Sequence, residues 1–298
     1  MDGILNINKP TGKTSFSIVA LVKRLSGERR VGHAGTLDPA ASGVLPVCLG
    51  QGTRVVQYLM NATKSYRAQI ELGVTTDTYD ATGHITRQED PSGITSEQAG
   101  STLSSFYGII QQTPPEYSAV KYRGRPLYQW TRAGIKVKRQ SRPAKIYRLE
   151  LIDFKLPLVT IEVECGKGTY IRALAHDFGQ ALGCGASLKS LVRLQCGPFD
   201  INDAVALPQL EEAFHRGYWS RLLYPIDTVL SHWTAVVVSD DIGRLIRNGT
   251  PLALEKDSIL VSSSTEKRCR VYTPDGHFIG LLRYNPERGQ WQPEKVFG

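Results

Sequence analysis

Two stretches of this 298-residue chain alternate so regularly that they restrict the fold before anything else is considered. Tyr66, Ala68, Ile70 and Leu72 are separated by Arg67, Gln69 and Glu71, and Val159, Ile161, Val163 and Cys165 by Thr160, Glu162 and Glu164. A period of two with one apolar and one polar face marks a half-covered strand. Clean alternation of this kind belongs to antiparallel pairing, whereas strands of a doubly wound parallel sheet are apolar on both faces. At residues 169–182 the spacing becomes helical: Ile171, Leu174, Ala175, Phe178 and Leu182 share one stripe, with Thr169 as the expected N-cap and Gly183 as the stop. Helices are also predicted over 15–25, ending at Gly27, and over 54–60, and a short strand over 4–7 before the Lys9-Pro10-Thr11-Gly12 turn. The expected class is α+β, a mixed and largely antiparallel sheet flanked by helices.

The length predicts one large domain and one small one. After Pro225-Ile226-Asp227 the texture changes to short β-like runs at 235–238, 258–261, 270–272 and 278–282, punctuated by Asn248-Gly249, Pro274-Asp275-Gly276 and Asn285-Pro286. A division at 1–230 and 231–298 follows, the second part small and β-rich. Five scattered cysteines (Cys48, Cys165, Cys184, Cys196, Cys269), with no C-x-x-C, predict neither disulfides nor a zinc site. There is no run of 18 apolar residues and no basic-then-apolar leader, so a cytoplasmic protein without a membrane segment is expected.

The net charge of +8 is unevenly spread. Residues 121–148 hold ten Lys or Arg and no acid, interleaved with Tyr122, Tyr128, Trp130 and Tyr147. Cations that follow phosphates beside aromatic faces that stack on bases suit looped or single-stranded RNA. Such a run of like charge is expected to be mobile until phosphates neutralise it.

For chemistry, Gly12-Lys13-Thr14 hints at a phosphate loop, but the pattern requires a glycine where Ile7 stands. The unusual segment is residues 31–47, which carries three glycines between Gly32 and Gly43, two prolines and a single carboxylate, Asp38. Pro39 biases Asp38 toward an extended backbone and small neighbours leave room for a ligand. An Asx-type turn is the plain alternative for an Asp-Pro pair. Arg172 lies in the first turn of the predicted helix, where the dipole disfavours a cation, so a carboxylate partner is expected, the plain alternative being a side chain turned out into solvent. Paired with Asp38 it would keep that carboxylate ionised and oriented.

With these segments in view, the sequence resembles the bacterial tRNA pseudouridine-55 synthases, the TruB family, over nearly its whole length. The resemblance rests on Gly3-Ile4 through Lys9-Pro10-Thr11-Gly12, on Gly32-His33-Ala34-Gly35-Thr36-Leu37-Asp38-Pro39 with Ala41-Ser42-Gly43-Val44-Leu45, and on Lys64-Ser65-Tyr66-Arg67-Ala68. It continues with Thr76-Asp77-Thr78-Tyr79-Asp80-Ala81-Thr82-Gly83, Pro114-Pro115-Glu116-Tyr117-Ser118-Ala119-Val120-Lys121 and Gly166-Lys167-Gly168-Thr169-Tyr170-Ile171-Arg172. It implies Asp38 as catalytic aspartate, Tyr66 as the tyrosine that stacks on the target base and helps move a proton, and Arg172 as the partner of the aspartate. It further implies His33 at the flipped nucleotide, Tyr170 and Leu191 lining the uracil pocket, and Asp80 supporting the arginine. Val192 departs from the pattern, since many relatives carry another basic residue beside Arg193.

The implied fold is the pseudouridine synthase fold with a PUA-like C-terminal domain, and the insertion at about 121–148 grips the tRNA backbone through Lys121, Arg123, Arg125, Arg139 and Arg142. The implied reaction breaks the N1–C1′ bond of uridine 55 in the T loop of tRNA and rejoins uracil through C5. It consumes no cofactor and no metal, and a monomer without a protein partner suffices. Judged on residue types alone, Tyr66, Tyr170, Leu191 and His33 also fit ordinary packing roles. Two rival functions share parts of the pattern: a non-catalytic tRNA-folding factor, which needs no Asp38–Arg172 pair, and a guide-RNA-dependent subunit, which has the loop without the insertion.

Overall fold

The computed structural model describes residues 1–252 and 268–298. The strand expected at 258–261 lies outside the described residues. The main sheet is built on β1 (Gly3–Lys9), β2 (Ser42–Leu49), β3 (Lys64–Leu72), β4 (Gly108–Gln112), β5 (Arg142–Lys155), β6 (Leu158–Cys165) and β7 (Ala186–Cys196). Across the sheet their order is β1-β2-β7-β3-β6-β5-β4, with short strands added at the edges. Both alternating segments are adjacent antiparallel strands in register, Tyr66 opposite Val163 and Ile70 opposite Val159. One central junction is parallel: β7 meets β2 through only Val192↔Ser42 and Arg193↔Gly43.

This junction divides the core. On one side Ala68, Ile70, Ile161 and Val163 pack under α3 (Ser96–Ser104) and α5 (Ile171–Leu182). On the other, Leu5, Ile7, Leu45 and Val47 pack under α1 (Ser15–Ser26) and α6 (Leu207–His215). The helix stripe read from the sequence is the buried face of α5, and Gly183 ends it in the left-handed conformation at φ 84°. Thr169, by contrast, is not its N-cap. That position falls to Tyr170, and the Thr169 hydroxyl turns back to the carbonyl of Gly166 at 3.0 Å. The helix expected over 54–60 opens instead with a 3₁₀ stretch, Gly50–Val55, and becomes α2 at Val56–Asn61. A Cβ on Gly52 would stand 2.5 Å from the carbonyl oxygen of Gly3, so the chain turns tightly there against β1.

The second sheet is formed by β8 (Thr234–Val237), β9 (Arg268–Tyr272), β10 (Phe278–Asn285) and β11 (Gln290–Val296). The helix α7 (Asp240–Arg247) packs on it through Ile246. Neither α7 nor β11 is legible in the alternation. The β11 strand carries Pro293 beside a register shift, and α7 is largely charged. The small sheet docks on α2: Tyr58 donates to Glu294 at 3.0 Å and meets Trp233 edge to face at 5.1 Å.

Gly43 sits at the parallel junction at φ 103°, where a Cβ would come 2.2 Å from the carbonyl oxygen of Arg193. Gly43→Ala is therefore expected to destabilise by at least the about 1–3 kcal/mol of backbone strain, with the clash in addition. Gly93→Ala, with nothing within 4 Å, serves as control and should stay within about 0.5 kcal/mol. Urea unfolding of both variants decides; equal midpoints would show that the junction relaxes freely.

Candidate active site

The loop that follows the short strand Val31–His33 is pinned at several points. Ser15 Oγ accepts from the Leu37 amide at 2.9 Å and donates to its carbonyl at 3.1 Å, and the Gly12 amide donates to Pro39 at 2.8 Å. Lys9, completely buried, donates to Lys13 at 2.7 Å, Pro10 at 2.9 Å and Pro39 at 3.5 Å. Arg193, also buried, donates to the carbonyls of Val44 at 2.6 Å and Gly35 at 2.9 Å. The turn after Asp38 is closed by backbone alone, Ala41 to Asp38 at 3.0 Å. The Asp38 side chain thus makes no Asx turn; it leaves the loop and meets Arg172.

Arg172 approaches from the first turn of α5 and is almost fully buried. Its Nε lies 2.9 Å from Asp38 Oδ2 and its Nη1 3.4 Å from Asp80 Oδ2. Its remaining donors reach the carbonyls of Tyr117 at 2.9 Å and Thr78 at 3.4 Å. Asp80 is fixed in turn through Oδ1, which accepts from the Thr78 hydroxyl at 2.8 Å, the Thr82 hydroxyl at 2.5 Å and the Thr82 amide at 3.0 Å. Asp38 keeps 43% of its side chain open while protein surrounds it on most sides. Burial pushes its carboxyl above the usual carboxylate range, Arg172 opposes this, Asp80 adds to it and Lys9 opposes it. The expectation that Arg172 simply holds Asp38 ionised is thus half of the balance.

Leu191, Leu188, Ala41 and Ala81 line a cleft of about 30 Å³ together with Asp38, Asp80 and Arg172. Tyr66 and Leu191 pack against both core clusters, at the seam between them. Tyr66 stands directly opposite Arg193 on the neighbouring strand. Burial drives the Tyr66 hydroxyl up to about 12, only partly offset by Arg193, so it remains a phenol at neutral pH. Tyr170 is held by the amide of buried Gln112, which donates to its carbonyl at 2.9 Å and accepts from its N–H at 2.7 Å. Burial also raises the Tyr170 hydroxyl, and Ser118 and Arg172 act against it. His33 pairs with Val47, and burial followed by Arg193 holds its imidazole below the usual range, hence neutral.

The predicted phosphate contacts do not form one set. Lys121, Arg123 and Arg125 lie on an exposed two-residue hairpin, Lys121–Tyr122 with Arg125–Pro126, turning through positive φ at Arg123 and Gly124. Arg123 covers Tyr122 at 5.5 Å, Arg125 covers Trp130 at 5.8 Å, and Trp130 donates to the Tyr122 carbonyl at 3.1 Å. Arg139 is already engaged by Glu116 at 3.4 Å and by the Pro114 carbonyl at 3.1 Å. Arg142 opens β5 opposite Gln112, and Ala144 and Ile146 behind it are buried. The basic segment is therefore no single loop, since its last residues belong to the main sheet. Sequence reasoning missed the buried clamps Gln112 and Arg193. Only Arg193's neighbourhood with Leu191 gave any signal, because a buried amide or guanidinium has no distinctive spacing.

Residues 23–171 match the family model described as TruB family pseudouridylate synthase (N terminal domain), and residues 172–231 match tRNA pseudouridylate synthase B C-terminal domain. The fold is thus that of a pseudouridylate synthase, an isomerase. The tRNA pseudouridine synthase B of Dehalococcoides mccartyi is 45% identical over 298 residues, covering 100% of this chain and 97% of that one. The protein of the same name from Clostridium perfringens is 42% identical over 284 residues, 94% of each. The chain belongs to the TruB family. Among solved structures, a chain of a Cbf5-Nop10-Gar1 complex matches with TM-score 0.76 and 26% identity, covering 99% of this chain and 85% of that one. A chain of an H/ACA RNP bound to a substrate RNA containing 2′-deoxyuridine gives 0.74 at 25% identity, with 99% and 85% covered.

Asp38→Asn should lower turnover by more than about 1000-fold, and Arg172→Lys, which keeps charge but loses the planar fork, by on the order of 100-fold through misplacement of the carboxylate. RNA affinity should change little in either, because phosphate and stacking contacts supply it; single-turnover assays with filter binding separate the two effects. Because burial raises the Asp38 pKa above its ordinary 3.8, the ionised form is lost earlier as pH falls. The acid limb of kcat/KM should accordingly lie above that value, and a limb at or below it would remove Asp38 as the titrating group.

Proposed function

We propose that this chain converts uridine 55 in the T loop of tRNA to pseudouridine, acting in the cytoplasm as a monomer, without guide RNA, protein partner or cofactor. The observation that carries the reading is the Asp38 carboxylate, held 2.9 Å from the Arg172 guanidinium where both line one cleft with Leu191. The names of its relatives from Dehalococcoides mccartyi and Clostridium perfringens support tRNA as the substrate.

In this reading the target base leaves its stack and enters between the two core clusters. The N1–C1′ bond breaks, uracil departs with the bonding pair, and an ionised Asp38 oxygen meets the electron-poor sugar, at C1′ or at the C2′ proton. The uracil turns, C5 bonds to C1′, C5 gives up its proton and N1 gains one, so atoms and electrons balance with no external reactant. Tyr66, still protonated, stacks on the base and offers its hydroxyl for proton movement. Tyr170 and Leu191 bound the pocket, His33 holds the flipped nucleotide as a neutral donor or acceptor, and Asp80 steadies Arg172. The small C-terminal sheet adds a second RNA contact. Phosphates are met by Lys121, Arg123, Arg125 and Arg142, and by Arg139 once it exchanges Glu116 for RNA.

The likeness to chains of H/ACA complexes favours a second reading, a guide-dependent subunit. The aromatic-backed basic hairpin supports stand-alone action instead. Purified protein incubated with unmodified tRNA transcript and no other factor, followed by pseudouridine mapping, decides between them: modification at 55 is expected, and none without added RNA or protein would overturn the reading. Reversing Lys121, Arg123 and Arg125 to Glu should weaken tRNA binding and flatten its salt slope by about 2 to 3 units. Stability should stay within about 0.5 kcal/mol, since these side chains are exposed. An unchanged slope would remove the hairpin from the interface.

A further inference from the structure

Next to the ion pair lies a ring contact that the reaction as described does not use. Tyr79 and His176 stack face to face, with centroids 3.9 Å apart and planes inclined by 17°. His176 is on α5 one turn beyond Arg172, so both side chains leave the same face of that helix. Tyr79 immediately precedes Asp80 and has φ 65°, one of only two non-glycine residues in the left-handed region among the described residues. A bulky side chain adopts that conformation only where its surroundings impose it.

What imposes it can be identified. The Tyr79 carbonyl accepts from the Leu188 amide at 2.9 Å, and the Ala81 amide donates to the Leu188 carbonyl at 2.9 Å, so backbone bonds fasten the loop to β7. On the α5 side, the polar contacts from Arg172 to Thr78 and to Asp80 are both long, at 3.4 Å. The ring stack is the close contact there. The buried Nδ1 of His176 has no hydrogen-bond partner among the described residues, so stacking rather than hydrogen bonding fixes the imidazole. Burial and nearby Arg139 keep it below the usual range, which leaves a neutral flat ring against the phenol.

We propose that the Tyr79–His176 stack is a positioning device for the reaction: it holds residues 76–83 in the left-handed turn that delivers Asp80 to Arg172. In this role Tyr79 and His176 act through Asp80 and Arg172 and not on the reacting atoms. Removing either ring frees Tyr79 to return to negative φ. That carries the Asp80 carboxylate off the guanidinium and lets Arg172 tilt away from its 2.9 Å contact with Asp38. The inference rests on the proposed roles of Asp38 and Arg172.

The test is single-turnover kinetics and equilibrium binding with unmodified tRNA. His176→Ala and Tyr79→Ala should each slow the chemical step about 10- to 100-fold while tRNA Kd stays within about threefold. His176→Phe, which keeps the ring and discards both nitrogens, should return the rate to within about threefold of wild type, and the double alanine variant should be no slower than the worse single one. A structural role alone would instead lower thermal stability without this split and without rescue. A wild-type rate in His176→Ala overturns the proposal, as does equal impairment of His176→Ala and His176→Phe, or a loss that appears in Kd. Should His176→Ala fail to fold, Tyr79→Leu, which keeps bulk without an aromatic face, carries the same expectation. Asp38→Asn separates the two levels of inference: if it turns over normally the assignment of the site fails, whereas an inactive Asp38→Asn beside a fully active His176→Ala defeats only the positioning role.

Discussion

Asp38 and Arg172 come from opposite halves of the protein. Leu37 and Ala41, flanking the aspartate, belong to the core under α1 and α6, while Ile171 and Leu174, flanking the arginine, belong to the core under α5. Their 2.9 Å contact therefore spans the seam between two separately packed clusters. Burying a guanidinium is costly unless its donors are satisfied. Arg172 meets that requirement by gathering Asp38, Asp80 and the carbonyls of Thr78 and Tyr117, which draws three segments of chain to its guanidinium.

Beneath this contact the loop is shaped by cations that pair with carbonyl oxygens. Lys9 and Arg193 grip the loop itself, and Lys64 holds the end of α2 through Leu59 at 2.9 Å, Met60 at 2.8 Å and Ala62 at 2.7 Å. Burial pulls Lys9 down to about 8 and lowers Lys64 as well, the ordinary cost of hiding an ammonium. The positive charge of Lys9 offsets part of the burial that raises Asp38. The loop clamp thus also tunes the carboxylate it presents.

The parts of this arrangement that were legible in the sequence are those governed by period or by a local rule. The alternation at Tyr66–Leu72 forced an antiparallel strand with Tyr66 on the covered face, and the dipole argument at Arg172 demanded an acid, which the structure supplies twice. Thr169 was misread because a threonine before a helical stripe satisfies the capping rule locally, whereas Gln112, 58 residues away, takes over the Tyr170 backbone. The basic segment 121–148 was read as one unit because charge carries no period. Only the buried Ala144 and Ile146 separate its sheet portion from the exposed hairpin. Clamps such as Arg193 and the stack at Tyr79 depend on contacts distant in sequence, and single residues give no spacing to read.

The position of the seam also explains why a cleft exists there. Elsewhere the central strands share long ladders, as between β3 and β6 from Lys64 to Glu71, but β2 and β7 touch through two residue pairs. A longer ladder would zip β2 and β7 together beside Leu191, which lines the cleft. Gly43 permits the brief contact by lying against the Arg193 backbone, where any side chain would push the strands apart. A boundary between two clusters that share only a few side chains yields at less cost than the interior of either. The Asp38–Arg172 contact ties the two clusters together across that boundary.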